Sequence, residues 1–215
     1  AVDEQGRPRS VLQKIEPRGP EEAALVEAAR ARREERKARF ALKADRIKDV
    51  QDEPEPPRWR FESTRGVLPE EALFGNFMFA GKLLMGIDEA GGILCVRYTR
   101  GLTMTACMDA LDFYSPIRVG DIITLKAGLN HVGRTSMEVG VKVLAEERLT
   151  GEVRHTCTAF LTYVHLGPDR RPTPVTPFIP ESEGERRRWE AALVRREARL
   201  ARVKRLKAAI ADERG

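Results

Sequence analysis

The chain carries little that announces its chemistry. It has three cysteines and three histidines in 215 residues. Cys95, Cys107 and Cys157 show no CxxC spacing, and His131, His155 and His165 form no local pattern with them. That argues against a zinc site and against a disulfide framework, so no metal is expected. Each cysteine sits in an apolar or strand-like run, which reads as a free thiol in a reduced compartment. No GxSxG elbow is present, so a serine esterase is not expected. No apolar run reaches the roughly 18–20 residues of a membrane span, and no apolar signal region opens the sequence. With Ala at position 1, the sequence reads as processed or as part of a longer protein.

What is present is charge. Charged residues make up 33% of the chain, apolar ones 41%, and the formal net charge is +5. Much of the excess lies in two Arg-rich segments whose acids are interleaved with the bases. Helices laced in this way read as solvated faces rather than grooves for nucleic acid, which is not expected as a partner. A basic balance does suit a small polyanion such as a nucleotide or a coenzyme.

Three regions are expected. Residues 1–58 hold an arm, a charged helix beginning at Pro20 with Glu21 and Glu22 in its first turn, and a stiff linker, DEPEPPR. The apolar positions of that helix are sparse: Leu25, Val26, Phe40, Leu42 and Ile47. Residues 59–180 are the compact part, and 181–215 a second charged helix with a weak apolar stripe. The compact part predicts a first strand in WRFESTRGVL, a helix over 80–97, and strands over 102–114, 121–131, 134–146 and 152–165. The third of these alternates cleanly: Met137, Val139, Val141 and Val143 face one way, Ser136, Glu138, Gly140 and Lys142 the other. The fourth places Val153, Cys157, Ala159 and Leu161 on one face. One strand, one helix and a four-strand meander make an α+β plan. There is also an internal echo. GRPRSVLQKI (6–15) matches RRPTPVTPFI (170–179) at Pro8, Val11 and Ile15, and both copies lead into an Arg-rich helix.

The helix AGKLLMGIDEAGG (80–92) holds the main candidate. Its stripe is Leu84, Ile87, Gly91 and Leu94, with Ala80, Leu83 and Cys95 beside it. Gly81, Gly86, Gly91 and Gly92 each cost about 1 kcal/mol relative to Ala, so close approach of backbone, sheet or ligand is expected there. Asp88 falls at the edge of the stripe and Glu89 points away. A half-buried carboxylate in that place suits a general base acting through water. The alternatives are a loop cap or an ion pair with arginine. His131, in a turn, would touch a ligand or simply face solvent. Arg134 and Ser136, in HVGRTSMEV, have the chemistry to hold a phosphate, or are plain hairpin residues.

The runs FGNFMFAGKLLMGIDEAGG, DALDFYSPIRVGD, GRTSMEVGVKV and TAFLTYVHLG with PVTPFIPE resemble, in order and spacing, the hotdog-fold acyl-CoA thioesterases. They are closest to the group containing the brain-type acyl-CoA hydrolase. The resemblance covers about residues 62–205. It implies a long central helix wrapped by a curved antiparallel sheet of five or more strands. It implies a homodimer of hotdog units assembled further to a hexamer, and hydrolysis of fatty acyl-CoA to fatty acid and coenzyme A. Coenzyme A then enters only as part of substrate and product, with no other cofactor. By motif, the catalytic acid falls on Asp88, and the flanking glycines on Gly81, Gly91 and Gly92. The segment near coenzyme A falls on Arg134, Thr135 and Ser136. The family's loop Asn, fifteen residues before the acid, falls on Leu73; Asn76 matches a second, non-essential Asn. The unit thus resembles the acid-bearing C-terminal half of a tandem enzyme whose other hotdog supplies the Asn. The echo at 6–15 would then belong to the tail of a preceding copy. A homodimer of this chain alone is expected to be slow or dead, and a non-catalytic acyl-CoA-binding or scaffolding subunit is the alternative. The site would lie at a hotdog–hotdog interface, with the thioester carbonyl met by backbone N–H groups at the glycine-rich helix start and Asp88 activating water or attacking directly. A cytoplasmic protein is expected; a mitochondrial matrix protein stripped of its targeting piece would look the same.

Overall fold

The computed structural model describes residues 9–11, 16–41, 50–51, 54–109 and 111–212. Pro8, Ile15, Leu42 and Ile47, named above, lie outside them. The chain divides into two compact units, Ala1–Ala44 and Asp45–Gly215. In the first, α1 (Pro20–Ala41) is a charged helix with exposed Glu27–Arg30 and Glu34–Lys37 pairs. Its Leu25 is 68% exposed.

In the second unit, period-two alternation of β-branched and apolar residues builds one antiparallel sheet in the order β1-β5-β6-β7-β4. The strands are β1 (Arg60–Gly66), β4 (Leu102–Met108), β5 (Ile122–Val132), β6 (Ser136–Glu146) and β7 (Val153–Leu166). A small hairpin, β2 (Ala72–Phe74) and β3 (Phe77–Met78), precedes α2 (Ala80–Thr99). Its turn is Gly75-Asn76, with Gly75 at φ 59° and Asn76 not in the left-handed region. That is the pattern of a type II′ turn.

The inner face of the sheet packs on α2. Leu125 and Leu129 of β5, Val139 and Val141 of β6, and Ala159 and Leu161 of β7 are all buried against Leu83, Ile87, Ala90 and Leu94. The stripe on α2 therefore centres on Leu83 and Ile87. Leu84 is only half-buried and Ala80 is exposed. β4 is also shorter than the 102–114 expected. It stops at Met108, where the chain leaves the ladder and returns to β7 through isolated bonds, Asp109 N–H to Phe160 and Tyr114 N–H to Thr156.

The outer face is not left to water. α3 (Glu183–Asp212) lies across it with Ala192 buried and Trp189 packed on His131, ring centroids 4.3 Å apart. Glu138, on the face opposite Met137 and Val139, is 2% exposed. Arg195 reaches it at 2.6 Å and Arg199 at 3.1 Å, and Arg199 also holds Asp109 at 2.8 Å. His131 is a strand residue beneath a helix rather than a ligand-facing turn residue. Burial and the nearby Arg196 push its pKa down, against a smaller opposing pull from Glu138. Val153 is 38% exposed: adjacent Val143 and Leu144 pair with Cys157 and His155, so β7 carries an extra residue at Thr156 that shifts the register of its first residues. Among the described residues no helix is long and apolar enough to cross a membrane.

Candidate active site

Asp88 sits eight residues into α2. At 1.5 Å per residue that is about 12 Å from the helix start. Within one chain, then, the backbone N–H groups at the start of α2 stand about two helix turns from Asp88.

What holds Asp88 comes from the sheet. Thr105 of β4 donates its hydroxyl to Asp88 Oδ1 at 2.5 Å. The Tyr163 hydroxyl, on β7, lies 2.8 Å from the Asp88 carbonyl oxygen and 3.2 Å from Oδ1. Thr105 and Tyr163 are opposite one another in the β4–β7 ladder, so one register places both hydroxyls under one helix turn. Asp88 is half-buried, and among the described residues its Oδ2 accepts no hydrogen bond. Burial and the adjacent carboxylate push the Tyr163 phenol well above its usual pKa, so it stays protonated. Neither Thr105 nor Tyr163 was marked by the sequence. Their types are ordinary for strands, and only the ladder register shows where they point.

The expected substrate residues fall into two groups. Gly91 and Gly92 lie beside Tyr163; a Cβ on Gly91 would run into its hydroxyl, and one on Gly92 would come 3.8 Å from its ring. Arg134 and Thr135 lie in the β5–β6 turn and Ser136 opens β6, at the same end of the sheet. Gly133 N–H donates to the Ser136 carbonyl, and His165 N–H, two residues beyond Tyr163, donates to the Thr135 carbonyl. The Arg134 side chain is exposed. Gly81 and Asn76 are elsewhere, at the start of α2. Gly81 leaves room for the Phe79 ring, and the Asn76 carbonyl accepts from Val119 N–H at 3.0 Å. Leu73, where the resemblance places the loop Asn, is 57% exposed on β2. The only asparagines in the chain are Asn76 and Asn130, and Asn130 is buried on the outer face beside Glu138.

Burial pushes Cys95 and Cys157 up to about 12, so neither supplies a thiolate. Near the start of α2 a cleft of about 310 Å³ is lined by Phe77, Met78, Leu83, Phe113, Ile117 and Thr156.

Residues 75–152 match the model of the Thioesterase superfamily. Protein VdlD of Helicobacter pylori is 41% identical over 133 residues, 62% of this chain and 76% of that protein. The uncharacterized acyl-CoA thioester hydrolase YkhA of Bacillus subtilis is 41% identical over 122 residues, 57% of this chain and 71% of its own. Among solved structures, an apo-hexameric acyl-CoA thioesterase superposes with a TM-score of 0.65 at 38% identity, covering 69% of this chain and 96% of that one. The acyl-CoA hydrolase of Staphylococcus aureus, in complex with butyryl coenzyme A, coenzyme A and coenzyme A disulfide, gives 0.65 at 30% identity, covering 70% and 92%. That hydrolase has also been solved with alanine replacing an aspartate, an asparagine fifteen positions ahead of it, and a threonine seventeen positions after it. The same spacings counted from Asp88 reach Leu73 and Thr105. A sheet wrapped on a central helix, an acid pinned from the sheet side, and this degree of shared sequence give one conclusion: the chain belongs to the hotdog thioesterase superfamily.

Proposed function

We propose that the protein hydrolyses the thioester of fatty acyl-CoA to a free fatty acid and coenzyme A. The carrying observation is Asp88, with Oδ1 pinned by Thr105 and Oδ2 left open. A carboxylate so held can take a proton from water as the water attacks the thioester carbonyl, then pass it to the departing thiolate. Direct attack would instead form an anhydride and release the thiolate, and water would then cleave the anhydride. Neither route calls on a metal or a further cofactor.

Two features flanking Asp88 suit the two ends of such a substrate. On one side the exposed Arg134, with Thr135 and Ser136, fits the phosphates or pantetheine of coenzyme A. On the other, toward the start of α2, the cleft walled by Phe77, Leu83 and Ile117 has the apolar lining of an acyl slot. Gly81 and Asn76 border that second side. A homodimer built up to a hexamer is supported by the hexameric relative. It is also supported by the apolar side chains left exposed on the edge strand and helix, Leu102, Met104, Met85 and Val96. The three free thiols fit a reducing compartment such as the cytoplasm.

The second reading, a non-catalytic acyl-CoA-binding subunit, rests on one feature: neither asparagine of the chain hydrogen-bonds to Asp88. A single assay separates the two. Purified protein is given acyl-CoA of four to sixteen carbons and free thiol is followed, with Asp88→Asn beside it. Hydrolysis that falls about 100-fold or more in the variant is expected. Equal inertness of both proteins, with coenzyme A still bound, would remove the catalytic reading.

A further inference from the structure

Tyr163 is the largest fully buried side chain of the core, 1% exposed. A tyrosine placed so deep needs a partner for its hydroxyl. It finds two on one residue, the backbone carbonyl and the carboxylate of Asp88. The carbonyl of Asp88 has its own helical donor at position 92. Helix formation therefore does not require Tyr163, and the phenol is an addition to the turn that carries the acid.

The space for that phenol is supplied by Gly91. A Cβ there would collide with the Tyr163 hydroxyl and stand 2.9 and 3.0 Å from two ring carbons. Those ring atoms belong to a side chain enclosed on all sides and cannot give way. Gly91 is buried in the middle of α2, where glycine is unfavourable. The atom that occupies the missing Cβ's place is the one that reaches Asp88.

We propose that Tyr163 and Gly91 are a positioning pair for Asp88: Gly91 admits the phenol into the helix surface, and the phenol, with Thr105, turns the carboxylate so that Oδ2 faces the reacting thioester. This rests on the hydrolytic reading of Asp88. Gly91 then serves the acid rather than the substrate. Besides Asp88, α2 carries Lys82, Glu89, Cys95, Arg97 and Tyr98, β4 carries Cys107, and β7 carries Arg154, His155, Cys157, Tyr163 and His165; of these only Tyr163 bonds to the carboxylate. β5 and β6 present apolar side chains to α2.

The test uses the whole chain and three variants: Tyr163→Phe, Gly91→Ala and the double substitution. Two quantities are read: steady-state kcat and KM on an acyl-CoA, and the carbon-13 chemical shift of the Asp88 carboxyl at fixed pH, which needs no turnover. Tyr163→Phe should lower kcat about tenfold with KM within about twofold, and move the Asp88 carboxyl resonance as its hydrogen bond is lost. Gly91→Ala should move both in the same direction. The double variant should be no worse than the poorer single, because both act through one bond. A folded Tyr163→Phe with kcat and the Asp88 resonance unchanged overturns the proposal, as does a change in KM alone. If Gly91→Ala fails to fold, Tyr163→Phe decides by itself. A wild-type protein that hydrolyses nothing overturns the hydrolytic reading, and the Asp88 resonance still judges whether Tyr163 controls the carboxylate.

Discussion

Glu185→Gln asks how firmly α3 is clamped to the sheet unit. Glu185 opens α3 behind its cap residue Ser182, whose hydroxyl accepts Glu185 N–H at 3.1 Å. Its side chain is 1% exposed. Oε1 accepts from Arg58 Nε at 2.9 Å and Arg58 N–H at 3.2 Å, and Oε2 from Glu181 N–H at 2.8 Å. Burial alone would raise the carboxyl pKa. The Arg58 guanidinium and the backbone donors outweigh it and bring it down to about 2 from an ordinary 4.5. At 1.4 kcal/mol per unit, the ionised form contributes about 3 kcal/mol to folding relative to the protonated one. Screening at Arg58, whose side chain is 44% exposed, takes this toward about 2. Because the folded pKa is the lower one, that stability is fully present above pH 4.5 and drains away as pH falls toward 2. Gln keeps the shape and loses the charge. Urea unfolding followed by tryptophan fluorescence, at pH 6, 5, 4 and 3, should show wild type ahead by about 2–3 kcal/mol at pH 6, with the gap closing in acid. Both tryptophans, Trp59 and Trp189, lie in the sheet unit, and Trp189 sits on α3 itself. A gap that stays constant from pH 6 to pH 3 would refute the ionic clamp.

Thr105→Val removes a charge-assisted hydrogen bond while keeping the side chain's shape. Acyl-CoA turnover should fall about 10–100-fold, with the melting temperature nearly unchanged since Thr105 is exposed; an undiminished kcat would show that Asp88 needs no anchor on β4. Leu73→Asn restores an amide where the resemblance expects one, at a side chain 57% exposed and so cheaply replaced. It should raise thioester hydrolysis about tenfold or more; no gain in the same thiol-release assay would mean that Leu73 does not occupy the missing Asn's place.

The central helix and the meander were legible because their side-chain periods are unambiguous. Met137, Val139, Val141 and Val143 could belong only to a strand with one buried face. What covers the opposite face at Glu138 was not legible, because its partners Arg195 and Arg199 lie about sixty positions away in a charge-rich helix with only a weak apolar stripe. Asp88 was readable as an acid out of place on an apolar helix. Its holders were not, since a Thr and a Tyr on separate strands converge only once β4 and β7 are paired. The glycines around Asp88 are close in sequence, yet Gly81 and Gly92 stand about three turns apart along α2.

The strand that carries Thr105 is also the last in its sheet. On its far side β4 has no neighbour among the described residues, and Leu102 and Met104 stand exposed along it. A subunit that paired there would stiffen the backbone on both sides of the hydroxyl that holds Asp88. Dilution would then act as an off-switch: as subunits parted, the acid would lose the rigidity of its anchor before any of its own bonds were broken.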